Sequence, residues 1–367
     1  MQADDPVSTA EALIAQGRAG EAAAMLHELL ERHRGGLLLR ATLQKALAAS
    51  GEIADALALA RETAQLYPAV APAALGLADA LRASGTLPAA IAEYQRVLRL
   101  DPHCIEARIG LGAAWLDAGE AEKALESWQP LEQQSDVRLA GPIAEARRML
   151  QAPRCDPRYV RHLFDQFAAD YDSRMQGQLQ YRAPAILRQL GELLGLSADA
   201  PCDILDLGCG TGLMGAEVGQ WARRLDGVDL SPRMVDRARA RGIYNELSIG
   251  DIGEWLAAHE RRYDLIVAAD TLVYLGDLAA VFSAVARHLA PRGHFLFTVE
   301  AMDGEGFGLG AKRRWRHSET WLRAAAANAG FDVAGFLACS PRDEAGIPVE
   351  GFAVALSVPP GDAVIPD

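Results

Sequence analysis

The stretch Ile204-Leu-Asp-Leu-Gly-Cys-Gly-Thr-Gly212 decides how the second half of this 367-residue chain folds. An apolar run that reads as a strand ends in glycines at alternate positions, Gly208, Gly210 and Gly212. Glycine permits tight turns and lets a ligand approach the backbone, so the loop has the character of a nucleotide site placed just before a helix. Outward from it, short apolar runs alternate with helical stretches, the pattern of a parallel sheet with crossover helices. The runs Ile204 to Leu207, Leu225 to Asp229, Leu247 to Ile249, Leu265 to Ala268, His294 to Val299, Phe331 to Leu337 and Phe352 to Val358 predict a doubly wound α/β domain with a seven-stranded sheet.

Two ligands compete for such a loop. Gly210-Thr-Gly-Leu-Met-Gly215 also fits the dinucleotide GxGxxG pattern, which is weak when it stands alone. Asp206, however, precedes the first glycine by two positions and would repel a pyrophosphate, while it suits a ligand with a positive amino group and a sulfonium. Asp229 closes the second predicted strand, where a carboxylate can accept from both ribose hydroxyls of either ligand. Gly250-Asp-Ile252 follows the third, placing an acid for an adenine amino group and an aliphatic side chain for the ring. Each acid alone fits a helix cap equally well. Three acids after three successive strands fit a cofactor better.

On these residues the chain, from about residue 158 to 360, resembles the class I S-adenosylmethionine (SAM)-dependent methyltransferases. The resemblance implies SAM as cofactor, S-adenosylhomocysteine as product and no metal. It implies a cofactor set of Asp206, Gly208, Cys209, Gly210, Gly212, Asp229, Leu230, Met234, Asp251, Ile252, Asp270 and Tyr171. Ala269-Asp-Thr-Leu272 matches the end of the family's fourth strand and sets Asp270 beside the methyl group, and Leu289-Ala-Pro-Arg-Gly293 matches a helix ending at a Pro-x-Gly turn. Upstream, Phe164-Asp-Gln-Phe-Ala-Ala-Asp-Tyr-Asp172 and Tyr181-Arg-Ala-Pro184 look like the entry segment of bacterial methyltransferases linked to tetratricopeptide (TPR) repeats. There Tyr171 and Tyr181 would lean on the cofactor or close the pocket, unless Phe164, Phe167 and Tyr171 simply form an apolar helix face.

Parallel α/β sheets bind ligands beyond the carboxyl ends of their strands, so the loops after the fourth and fifth strands should line the acceptor pocket. Gly304, Gly306, Gly308 and Gly310 suggest a mobile lid. Lys312-Arg-Arg-Trp-Arg-His-Ser318 suggests recognition of an anionic acceptor, with Arg316 and Arg314 as contacts beside Tyr181; the competing reading is a solvated or paired charge run. His317 is the candidate general base, with Asp270 and Tyr274 as further catalytic candidates. Ser318 is expected to cap the next helix.

The first half repeats. Gly17, Gly51, Gly85 and Gly119 recur every 34 residues, as do Ala22, Ala56, Ala90 and Ala124, and the column Leu13, Leu47, Leu81 and Trp115. This is the length of a TPR unit, a pair of antiparallel helices with glycine at the turn and alanine where the helices approach. The expected architecture is an all-α TPR superhelix over residues 1–151, four units plus a closing helix, followed by an α/β Rossmann-like class I methyltransferase with a mostly parallel sheet over residues 152–367.

Composition sets the outer limits. A net charge of −13 argues against a general nucleic-acid grip, and the five cysteines are scattered without metal-ligand spacing. The acidic N-terminus lacks a secretory pattern and no apolar run is long enough to span a membrane, so a cytoplasmic protein is expected. The functional expectation is methylation of a small, anionic metabolite or natural-product intermediate, with the TPR array binding a partner protein or a second copy. The rivals are a protein or peptide methyltransferase whose target sits in the TPR groove, and a SAM-binding TPR scaffold without turnover.

Overall fold

The computed structural model describes residues 5–33, 36–132, 136–177 and 179–359. The chain divides into two compact units, residues 1–151 and 152–367.

In the first unit, helices Pro6–Ala15 and Ala19–His33, Leu37–Ala49 and Ile53–Leu66, Ala71–Ala83 and Leu87–Leu100, and Ile105–Asp117 and Ala121–Glu132 form successive pairs, with Ala140–Gln151 behind them. The glycine column turns each pair: Gly17, Gly51, Gly85 and Gly119 all have φ between 74° and 90°, a left-handed conformation in which a Cβ is strained. Just past each glycine, a backbone N–H (Arg18, Glu52, Thr86, Glu120) donates back to the carbonyl of Leu13, Leu47, Leu81 or Trp115 at 2.8–2.9 Å. The repeating column therefore supplies the acceptor of the turn as well as apolar surface. The alanine column is sealed, at 0–1% exposure. Gly112 lies against Trp128, whose indole N–H donates to the Ile109 carbonyl at 3.2 Å.

The second unit is built on a nine-stranded sheet. Its strands are β1 Cys202–Leu207, β2 Ala222–Asp229, β3 Glu246–Ile249, β4 Tyr263–Ala268, β5 Leu289–Ala301, β6 Phe307–Leu309, β7 Trp315–His317, β8 Asp332–Cys339 and β11 Gly351–Ser357; β9 Asp343–Glu344 and β10 Ile347–Pro348 form a separate ribbon. The main path runs β3-β2-β1-β4-β5-β11-β8. The pairings from β3 through to β5 are parallel, and β11 is antiparallel to both β5 and β8. These are the seven strands read from the apolar runs. Alternate residues feed opposite faces: Leu205, Leu207, Ile266, Phe295 and Phe297 join one core, and Ile204, Leu265, Val267 and Leu296 the other.

Two expectations change. The glycine-rich stretch after the fifth strand is not a free lid: β7 pairs in parallel with β5 through Glu300↔Arg316 and Ala301↔His317, and β6 folds back antiparallel on β7. Phe307 packs its ring against Trp315 and Trp321 at 5.7 and 5.1 Å, which anchors the hairpin. The helix before β5 ends at His288, and Leu289 already pairs with Tyr263, so the Pro-x-Gly stretch belongs to the strand as an irregularity with Arg292 at φ 66°.

Candidate functional site

The carboxyl ends of β1, β2, β3 and β4 open into one cleft, whose free space, counting the solvent at its mouth, is about 670 Å³. Gly208, Gly210, Asp229, Leu230, Asp251, Ile252, Asp270, Tyr171 and Tyr274 line it, together with Arg154, Cys155, Phe164 and Thr271. The structure thus brings together most of the residues that the sequence singled out.

The glycine loop turns at φ 68°, 53° and 87° at Gly208, Gly210 and Gly212. At Gly208 space is also decisive, because a Cβ would come within 2.3 Å of Thr271 Oγ1. Asp229 binds this loop to the end of β2: Oδ2 accepts from Gly210 N at 2.9 Å and Oδ1 from Ser231 N at 2.8 Å. Burial pushes its carboxyl up to about 6 in spite of those two donors. Asp251 caps helix Ile252–Ala258 through Oδ1, which accepts from Gly253 N at 2.9 Å and Glu254 N at 3.3 Å, while Oδ2 takes Arg154 at 2.5 Å. Capping and cleft lining, which the sequence posed as rivals, thus belong to one side chain.

Asp206 takes a different place. It is fully buried, accepts from the Tyr244 hydroxyl at 2.7 Å, and is absent from the cleft wall. Burial raises its carboxyl to about 7. Tyr244 fills the space beneath the loop so closely that a Cβ at Gly215 or Gly227 would lie 2.2 or 2.9 Å from it. Cys209, Gly212 and Met234 also stand behind the wall, Met234 at 0% exposure in the core; they shape the loop without lining the cleft.

The helix Pro157–Phe167 and the short helix Tyr171–Gly177 lie across the loops. Asp165 accepts from Ser231 Oγ at 2.6 Å, and Asp172 takes Thr211 Oγ1 and Arg241 at 2.5 Å each. Phe164 meets Tyr171 and Tyr274 edge to face at 6.0 and 5.6 Å. The apolar helix face and the cleft wall are therefore the same surface. Tyr181 is half-buried and outside the cleft wall, its hydroxyl donating to the Ala269 carbonyl at 3.4 Å.

At the far end the structure corrects the acceptor side. His317 is fully buried, bonds the Gly276 carbonyl through Nε2 at 2.8 Å, and tilts against Trp321. Burial lowers its imidazole to about 4, so it is a neutral packing residue away from the cleft and does not suit a base. Arg316 stands on β7 outside the cleft wall. Arg314 hydrogen-bonds Tyr274 and pairs with Glu344, with Glu300 3.7 Å away. Lys312 also takes Glu344, at 2.8 Å. At the centre lies Arg342, 1% exposed, bonded to Asp270 at 2.5 Å, to Glu300, and to Glu344 at 3.3 Å. Within the basic run, Lys312 and Arg314 are thus paired internally. Arg154, Asp165, Asp172 and Arg342 were not found from the sequence. Asp165 and Asp172 lie inside the quoted entry segment, but no spacing rule links Arg342 to an acid 72 positions earlier.

A mostly parallel sheet with a glycine loop after its first strand and acids after the next two is the arrangement of a doubly wound cofactor-binding domain. The comparisons agree: residues 171–334 match the family described as a methyltransferase domain, and residues 43–103 and 81–134 match tetratricopeptide repeat families. The chain therefore joins TPR repeats to a methyltransferase domain. Among curated proteins it is 34% identical over 139 residues to methyltransferase-like protein 27 of Homo sapiens, covering 36% of this chain and 55% of that protein. It is 33% identical over 111 residues to nodulation protein S of Rhizobium tropici, covering 29% and 46%. The chain thus spans about half the length of these relatives. A solved SAM-dependent methyltransferase from Clostridium acetobutylicum aligns with a TM-score of 0.41 and 19% identity, over 54% of this chain and 100% of that one. Among the described residues no helix is long and apolar enough to cross a membrane.

Proposed function

We propose that the second unit binds SAM in the cleft and transfers its methyl group to a small-molecule acceptor, while the TPR unit holds a partner protein or a second copy. The observation that carries this reading is the convergence of Gly208, Gly210, Asp229, Asp251 and Asp270 on one cavity wall. In this reading Asp229 receives the ribose hydroxyls, Asp251 and Ile252 the adenine, and Asp270 faces the sulfonium end. SAM supplies a methyl carbon already activated for in-line displacement. The chain's own task is to align the acceptor and exclude water, which positioning can reward by roughly 7–11 kcal/mol. Tyr171, Phe164 and Tyr274 are placed to exclude water.

Calorimetric titration of the full chain with SAM, S-adenosylhomocysteine and NAD tests this. Saturable binding of both adenosyl ligands and none of NAD is expected; binding of NAD alone would overturn the reading of the glycine loop.

A further inference from the structure

On the reading that SAM occupies the cleft, the acid assigned to its adenine is already engaged. Asp251 commits Oδ1 to the helix it caps, accepting from Gly253 N at 2.9 Å and Glu254 N at 3.3 Å. The other oxygen, Oδ2, takes Arg154 at 2.5 Å. Both side chains line the cleft, beside Ile252 and Leu275, and Arg154 is the one cation among the described residues that do.

Main-chain bonds hold the segment around Arg154. The residue forms an isolated antiparallel bridge with Leu275; Cys155 N donates to the Tyr274 carbonyl and Gly276 N to the Pro153 carbonyl, each at 2.9 Å. The contact is close, since a Cβ at Gly276 would lie 2.8 Å from the Pro153 carbonyl. Cys155 Sγ adds a bond to the Arg313 carbonyl at 3.0 Å. None of these anchors passes through the guanidinium. The Arg154 side chain is 42% exposed against 10% for Asp251. An ion pair with one partner open to water is weak, so the guanidinium can leave for solvent while the carboxylate stays, held by its helix.

We propose that Arg154 competes with the purine amine of the cofactor for Asp251, and thereby sets both the affinity for the cofactor and the selectivity for its base. A purine with an amine at its 6-position offers Asp251 an N–H donor in place of the guanidinium, so the exchange keeps the carboxylate satisfied and loses only the ion pair. A purine with a carbonyl there offers an acceptor instead. That oxygen is repelled by an unpaired Asp251 and accepts from Arg154, so it is seated with the pair closed. The same cation therefore opposes an adenosyl ligand and supports its deaminated counterpart.

Calorimetric titration of the full chain with S-adenosylhomocysteine and with its deaminated analogue S-inosylhomocysteine, before and after Arg154→Ala, tests this. The variant is expected to bind S-adenosylhomocysteine about three- to fivefold more tightly and S-inosylhomocysteine about threefold more weakly, widening the preference for the amine by roughly tenfold. Unchanged or weaker binding of S-adenosylhomocysteine would overturn the proposal. So would an unchanged ratio between the two ligands, which marks a general opening of the cleft. Arg154→Gln, with a shorter neutral side chain, should move both ligands in the same directions and decides the case if the alanine variant folds poorly. If S-adenosylhomocysteine binds neither the unmodified chain nor the variants, the cofactor reading falls first and the proposal with it.

Discussion

Two groups of carboxylates, at the glycine loop and around Arg342, are held in opposite ways. At the glycine loop Asp206 and Asp229 are buried without a cation in hydrogen-bond reach, held by a tyrosine hydroxyl and by backbone N–H groups. Burial then dominates and moves both carboxyls up, to about 7 and about 6. Around Arg342 burial acts on Glu344 too, yet Lys312, Arg314 and Arg342 outweigh it and hold that carboxyl down at about 2. One group is tuned by desolvation and the other by charge pairing, so the groups should fail under different insults.

The largest effect should come from removing the shared cation. Arg342→Met leaves Asp270 and Glu300 buried without their main partner, and the loss expected for breaking a buried pair is roughly 3–5 kcal/mol, read from the denaturation midpoint. A loss below about 1 kcal/mol would mean the cluster is effectively solvated. Next, Asp229→Ala should weaken SAM binding by about 100-fold in calorimetry, since it removes the proposed ribose acceptor and frees two loop N–H groups together. Unchanged affinity would remove the ribose assignment.

A pH scan sets the two groups of acids against each other. An acid whose folded pKa is raised binds its proton more tightly in the native state, so Asp206 and Asp229 should lower stability as pH rises from about 4 to about 7. Glu344 works in reverse: its contribution is present above its ordinary value of 4.5 and is lost as pH falls toward about 2. Melting temperature of the ligand-free protein should accordingly decline between pH 5 and 7.5, and Asp206→Asn should flatten that decline. An unaltered slope in the variant would place the titrating group elsewhere.

This contrast also explains what was legible in the sequence. The glycine-loop end could be read because a parallel sheet presents successive strand ends side by side, so acids at three strand ends in order must meet. The TPR period was legible for a related reason: each repeat places the same glycine at the same left-handed turn. The cluster around Arg342 obeys no such order. Asp270 and Arg342 come from loops, Glu344 from β9 and Glu300 from the end of β5, and no order of strand ends along the chain predicts their meeting. The basic run Lys312 to Arg316 was conspicuous in the sequence, yet its partners lay in the Asp343-Glu344 ribbon, so local charge suggested an anion site where the fold builds ion pairs. His317 failed likewise, because its burial depends on the hairpin packing on Trp321.

Tyr244 carries one more consequence. Its ring occupies the volume that side chains at Gly215 and Gly227 would need, and its hydroxyl partners Asp206. These positions are therefore not independent sites of variation. While the tyrosine stands, an alanine at Gly215 is a clash; once it has shrunk, the same alanine fills a void. The order in which a lineage acquires the two changes thus decides whether the intermediate survives, and a library that varies Gly215 alone will score as invariant a position that is only conditionally closed.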